Sequence, residues 1–181
     1  MTATDRLHII TGGPGSGKST LIDALAAAGV ATSAEVGRAI IREQVAAGGD
    51  ALPWADERAF AELMLPREVA AHAAALASGV TTVLDRGVLD VIGFLRVSGL
   101  VVPPAFDAAA RRMRYNACVF LAPFWADIYT HDAERKQAPA VAQATEAIMR
   151  KTYAGYGYEL IELPRMSVAE RVRFVRARLQ Q

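Results

Sequence analysis

Cys118 is the only cysteine in a chain of 181 residues. No internal disulfide is available, and a small secreted scaffold held together by disulfides is excluded. Histidine is nearly as scarce: His8, His72 and His131 are scattered, and none joins the cysteine in a group with zinc-ligand spacing. No apolar run approaches the roughly 20 residues of a membrane span. The opening residues, Met1 to Arg6, carry Asp5 where a secretory leader has a basic stretch. There is no excess of charge either, because 20 Lys+Arg stand against 19 Asp+Glu, for a net charge of +1. Proteins that bind phosphate backbones usually carry a basic stripe, so nucleic acid is not expected as a partner, although a local basic pocket is compatible with the balance. These absences lead us to expect a cytoplasmic protein with no membrane association.

What is present is a globular composition, 52% hydrophobic and 22% charged, in a chain long enough for about one domain with a core of its own. Leu7 to Thr11 is a short β-rich run that ends at Gly12-Gly13-Pro14-Gly15, and from Lys18 the apolar spacing becomes helical as far as Gly29. Further strands are expected over residues 30–34, 80–84, 117–121 and 158–163. Helices are expected over residues 36–46, 88–97, 104–114 and 141–154, and after the capping box Ser167-x-x-Glu170. Residues 54–78 read as one long helix or as two divided at Pro66. Strands that alternate with helices predict a three-layer α/β fold: a doubly wound parallel sheet of about five strands, with the ligand at the strands' carboxyl ends. The expectation is a single domain over residues 1–181 with an irregular, lid-like segment at about 124–140.

Gly12-Gly13-Pro14-Gly15-Ser16-Gly17-Lys18-Ser19 matches G-x-x-x-x-G-K-[ST] in full, between a predicted strand and a predicted helix. Glycines allow successive backbone N–H groups to turn toward phosphate oxygens, and the helix start adds the positive end of its dipole. The motif assigns Gly12 to Thr20 to nucleotide binding, Lys18 to the β- and γ-phosphates and the Ser19 hydroxyl to Mg2+.

Asp85 ends the third strand, where a carboxylate either holds Mg2+ directly or through water, or acts as a base, or is only a solvated charge, and the phosphate loop favours the first two; Arg86 beside it adds a guanidinium, and Gly87 allows close backbone approach. Asp90 begins the next helix and either reaches the same cavity or complements the helix dipole. Glu35 ends the second strand, with Arg38 and Arg42 following at helical spacing. The group is either a proton acceptor with an arginine that orients the phosphoryl acceptor, or a surface Glu/Arg pair. In the irregular stretch Asp132 to Gln137, Arg135 or Lys136 is either a group that closes over the phosphates or part of a solvated charge run.

Together these residues resemble the P-loop kinase-type NTPases, and within them the AAA-domain family of predicted ATPases that includes the ribosylnicotinamide kinase domain. The resemblance rests on the phosphate loop, Glu35 with Arg38, Asp85-Arg86-Gly87 with Asp90, Asp132 with Arg135, and the run from Tyr156 to Pro164 at the last strand. It implies a nucleoside- or nucleotide-kinase-like fold with ATP and Mg2+ as donor. In the related deoxynucleoside kinases a carboxylate after the second strand is the general base and an acidic-Arg pair at a strand end works at the phosphates; Glu35 and Asp85-Arg86 are the matching positions. No base-selecting pattern is recognisable in residues 54–69.

The leading expectation is therefore a small-molecule kinase acting with Lys18, Glu35, Arg38, Asp85, Arg86 and Arg135 on an unidentified acceptor. A stand-alone ATPase that drives a partner protein is the alternative. A GTP-dependent switch fits less well, because no Asn-Lys-x-Asp follows the fourth strand and the D-x-x-G match at Asp90 to Gly93 falls in a predicted helix.

Overall fold

The computed structural model describes residues 2–129 and 139–179. Five strands, β1 (Leu7–Gly12), β2 (Ala31–Ser33), β3 (Thr82–Asp85), β4 (Cys118–Ala122) and β5 (Glu159–Glu162), form one parallel sheet in the order β2-β3-β1-β4-β5. Between and after them come α1 (Lys18–Ala27), α2 (Val36–Ala47), α3 (Glu57–Ser78), α4 (Val88–Val97), α5 (Pro104–Arg112), α6 (Pro139–Gly155) and α7 (Val168–Leu179).

Side chains alternate across the sheet and divide the core in two. Leu7, Ile9, Leu84 and Val119 pack beneath Ile40, Phe60, Leu89, Ile92 and Tyr153, which come from α2, α3, α4 and α6. Ile10, Val83 and Phe120 point the other way, onto Leu21, Leu25 and Val175 of α1 and α7. Each fully buried Leu or Ile contributes about 2 kcal/mol. All six residues of β1 are buried because β3 and β4 flank it and helices cover both faces.

Pro66 lies inside α3, which runs unbroken for 22 residues. A proline in a helix interior costs about 3 kcal/mol, and the buried stripe Phe60, Met64, Glu68, His72 and Ala75 along the same helix supplies the packing that offsets it. Trp54 falls outside this helix; Asp56 caps it by accepting a 2.9 Å hydrogen bond from the Ala59 N–H. The expected capping box of α7 is present, with the Ser167 N–H donating to Glu170 at 3.1 Å and the Glu170 N–H donating to Ser167 Oγ at 3.4 Å. Among the described residues no helix is long and apolar enough to cross a membrane.

Candidate active site

β1 is central, and the chain leaves it at Gly12, which pairs with Ala122 of β4. Gly12, Gly15 and Gly17 have φ of 137°, 71° and 75°, backbone that other residues rarely adopt, so this turn requires glycine. Space is also short: a Cβ on Gly15 would lie 2.5 Å from the Tyr129 ring. The Ser16 hydroxyl donates to the Gly13 carbonyl at 2.9 Å, and Lys18 Nζ donates to the same carbonyl at 2.6 Å and to Ser16 Oγ at 3.2 Å. Burial, reinforced by the guanidinium of Arg86, lowers the pKa of the Lys18 ammonium. A cation held on neutral oxygens and deprived of water is one that phosphate oxygens would complete.

The next strand ends bring side chains to the same cleft. Glu35 is the N-cap residue of α2, at the end of β2, and both its oxygens are engaged: Oε2 by Arg38 Nε at 2.7 Å and Oε1 by Arg86 Nε at 3.1 Å. Burial alone would raise its pKa, but Arg86, Lys18 and Arg38 outweigh that and bring the carboxyl down to about 2. A plain surface pair is therefore not what the structure contains, because the Glu35 side chain is only 18% exposed and bridges two elements.

Arg86 follows β3 and is the one non-glycine residue with positive φ among the described residues, at 76°. Such a conformation costs on the order of 1 kcal/mol or more. It is held by the Arg86 N–H on the Ile10 carbonyl at 3.1 Å and by a guanidinium that reaches Glu35, the Gly12 carbonyl and Asp90, the last two at 3.2 Å. Arg86 thus ties the phosphate loop, the end of β2 and the start of α4 into one unit.

Asp90 performs both expected roles. It accepts from Gly87 N–H at the start of α4 at 3.1 Å, and also from Thr11 Oγ1 at 2.6 Å, Tyr153 Oη at 2.6 Å and Arg86 Nη1 at 3.2 Å. With both oxygens doubly engaged it positions Arg86 and has no free lone pair suited to a substrate proton. Asp90→Ala would leave the Thr11 and Tyr153 hydroxyls without this acceptor and take one of the two carboxylates from Arg86, and we expect a loss of about 3 kcal/mol of unfolding free energy, read by urea denaturation. A loss below about 1 kcal/mol would show that water replaces the carboxylate freely.

Asp85 lies within β3, 3% exposed and outside the cleft lining, and its Oδ1 is buried without a partner. Burial, joined by the charge of Glu35, raises its pKa against the pull of Arg86 and Lys18. Ser19, which carries a hydroxyl, lines the cleft. An orphaned carboxylate oxygen and a hydroxyl are the oxygen donors that Mg2+ takes when phosphates and water complete its shell. That shell needs no larger cluster, and among the described residues no group of three or more His, Cys, Asp or Glu has metal-site geometry.

The cleft has a volume of about 800 Å³. Pro14 to Ser19, Glu35, Arg38, Arg86 and Asp90 line it as expected; Gly12 and Gly13 lie behind, and Thr20 is exposed and does not reach it. Arg135, Asp132, Lys136 and most of the expected lid lie outside the described residues. Sequence reasoning missed the second wall, where α3 contributes Glu57, Phe60, Met64 and Glu68 opposite Val91 and Phe94 of α4. The signal was there: positions 57, 60, 64 and 68 share one helix face, and two carboxylates on an apolar stripe mark more than a core. Arg171 was missed too. It is 3% exposed on α7, has no acidic partner among the described residues, and donates from Nη2 to the Ser16 carbonyl at 3.3 Å. Its charge therefore sits directly behind the phosphate loop.

A family model described as an AAA domain matches residues 7–171. A search of curated proteins finds no match. Among solved structures the chain is similar to the NadR protein in complex with NR, with a TM-score of 0.70 and 13% identity, covering 95% of this chain and 49% of that one. It spans about half the length of that protein. It is also similar to deoxyadenosine kinase from M. mycoides with dCMP and dCDP bound, with a TM-score of 0.63 and 13% identity over 96% of this chain and 98% of that one. Shikimate kinase from Acinetobacter baumannii in complex with shikimate follows, with a TM-score of 0.56 and 15% identity over 96% and 92%. At these identities the likeness shows a shared fold.

Proposed function

The chain belongs to the AAA-domain family, and we propose that it works as one domain, an ATP- and Mg2+-dependent phosphotransferase that moves the γ-phosphate to a hydroxyl or phosphate of a small molecule. The observation that carries this reading is Glu35: an ionised carboxylate between Arg38 and Arg86, lining the same cleft as Lys18 and Ser19. Phosphoryl transfer needs little covalent help from a protein, and its demands are positioning and charge. Lys18 exchanges the Gly13 carbonyl for phosphate oxygens, and Glu35 accepts the hydrogen bond of the acceptor group and aims its oxygen. Arg38 and Arg86 fix that carboxylate and offset charge that builds on the transferred group. Ser19, and Asp85 through water, would hold Mg2+, which supplies neutralisation of the phosphate charge.

The second wall favours a kinase over a bare ATPase, because water as acceptor requires no apolar chamber of this size. The D-x-x-G match lies within α4 with Asp90 and Gly93 buried, which speaks against a guanine-nucleotide switch. At a hundredfold excess over Kd, ATP with Mg2+ should stabilise the protein by about 2.7 kcal/mol and raise its Tm by on the order of 5–10 °C. GTP should do less. An acceptor screen with γ-labelled ATP that yields only free phosphate would overturn the kinase reading and leave the ATPase.

A further inference from the structure

α7 turns an apolar stripe toward the sheet, with Val175 fully buried and Val172 and Leu179 packed beside it. Arg171 stands on the same face one turn before Val175, where a further apolar residue would fit the pattern. The other arginines of this helix avoid burial: Arg173 and Arg176 are exposed, and Arg178 lies over the Phe174 ring at 3.6 Å. Arg171 has no carboxylate partner among the described residues, and its neighbour Glu170 is turned to the helix start, where it accepts from the Ser167 N–H at 3.1 Å. Its Nε is buried without a hydrogen-bond partner, and the bond to the Ser16 carbonyl, from Nη2, is long at 3.3 Å. Burial lowers the pKa of Arg171, and none of the charged groups at the strand ends, Lys18, Glu35, Asp85, Arg86 or Asp90, offsets it.

The guanidinium also stands where the backbone is already positive. The Arg171 N–H closes the first turn of α7 on the Ser167 carbonyl at 3.0 Å, and Arg171 Nη1 lies 2.8 Å from where a Cβ on Gly17, the N-cap residue of α1, would be. Both helix starts present the positive end of a dipole. A buried cation thus meets two positive helix ends with no anion from the described residues to balance them, which costs the free protein stability and favours an anion as the missing partner.

Ser16 and Gly17 line the cleft and Arg171 does not, so the guanidinium acts on a ligand through the loop. A trans peptide is planar, and its C=O and N–H point in opposite directions. Fastening the Ser16 carbonyl to α7 therefore aims the Gly17 N–H of the same peptide away from α7, and a cation on the carbonyl side polarises that N–H into a stronger donor. Resting on the kinase reading, we propose that Arg171 is a positioning residue for the phosphates: a cation outside the phosphate-loop motif that holds the Ser16-Gly17 peptide from behind and takes the bound polyphosphate as its counter-charge across the loop. The attraction then grows with the negative charge of the ligand. It is the same before and during transfer, because the phosphates keep their total charge, so it acts on binding and not on the chemical step.

The test is calorimetric titration of the full chain, free of magnesium, with tripolyphosphate, orthophosphate and adenosine, in the parent, Arg171→Met and Arg171→Lys. Arg171→Met should weaken tripolyphosphate about tenfold, orthophosphate about threefold and adenosine not at all. Arg171→Lys keeps the charge and should stay within about threefold of the parent for all three. Without ligand the Met variant should melt no lower than the parent, and tripolyphosphate should raise its Tm less. In turnover its KM for ATP should rise about tenfold with kcat within about threefold. Equal losses for tripolyphosphate and orthophosphate, or a Lys variant as weak as the Met variant, would make Arg171 a brace for the shape of the loop and overturn the proposal. So would a Met variant that melts well below the parent without ligand, or a parent that binds no tripolyphosphate. An acceptor screen with γ-labelled ATP keeps the two readings apart: phosphate release alone sinks the kinase while the anion titrations still decide Arg171, and product formed by Arg171→Met at the parent's KM sinks Arg171 alone.

Discussion

Replacing Lys18 with methionine should lower phosphoryl transfer about a thousandfold and leave the nucleotide-free protein at least as stable as before. Two separate terms set these outcomes. In transfer, the ammonium is the one cation inside the loop itself, hydrogen-bonded at 2.6 Å to the Gly13 carbonyl. Arg86 is fixed on Glu35, Gly12 and Asp90 and is not free to take its place. In stability, Lys18 is 6% exposed, and the Gly13 carbonyl and Ser16 hydroxyl it bonds are neutral. Burying a cation against neutral oxygens costs free energy, and methionine keeps the apolar stem that fills the space. Residual activity within tenfold of the parent, or a collapse of Tm without nucleotide, would show that the ammonium serves the fold rather than the phosphates. The ATP-induced rise in Tm should largely disappear in the same variant.

That separation was legible from the sequence only in part. The phosphate loop is local: eight consecutive residues between a strand and a helix carry the whole geometry, and the structure places Pro14 to Ser19 on the cleft. The alternation of strands and helices was equally legible, since each apolar run is bounded by its own glycine or proline. What the sequence did not reveal lies in contacts between distant segments. Asp90 reads as a helix-start residue that either reaches the cavity or complements the helix dipole, and its partners Thr11 and Tyr153 are 79 and 63 positions away. Arg171 reads as an ordinary helix arginine until α7 packs beside α1 and brings it to Ser16, 155 positions earlier. Glu57 and Glu68 share a helix face with Phe60 and Met64, which marks the stripe, but nothing local says that α4 closes a chamber over that face. A helix stripe shows what is alike along one element; only the fold shows what faces it.

The second large effect concerns Glu35. Glu35→Gln should reduce kcat about a thousandfold while the KM for ATP changes by no more than about threefold. Gln keeps the shape and one acceptor oxygen, so an arginine can still be bonded, but the negative charge that three cations share is gone. The hydroxyl then loses the acceptor for its proton, and two guanidiniums lose the charge that balances them. A carboxyl brought down to about 2 is a weak base, which suits a reaction whose transition state asks for orientation before proton removal. It also fixes the pH behaviour. Because the folded pKa is depressed, the stability that Glu35 lends is full above its ordinary value near 4.5 and is lost only as pH falls through about 2. No acid limb in kcat between about pH 5 and 7 should trace to Glu35, and the deficit of the Gln variant should be constant across that range. A deficit that shrinks as pH falls through that window would mean that the working group titrates there, and the raised pKa of Asp85, the other carboxylate at a strand end, makes it the residue to examine next. A kcat within tenfold of the parent would reduce Glu35 to a tether that fastens α2 to the phosphate loop through Arg86, a role visible in the melting temperature and absent from the chemistry.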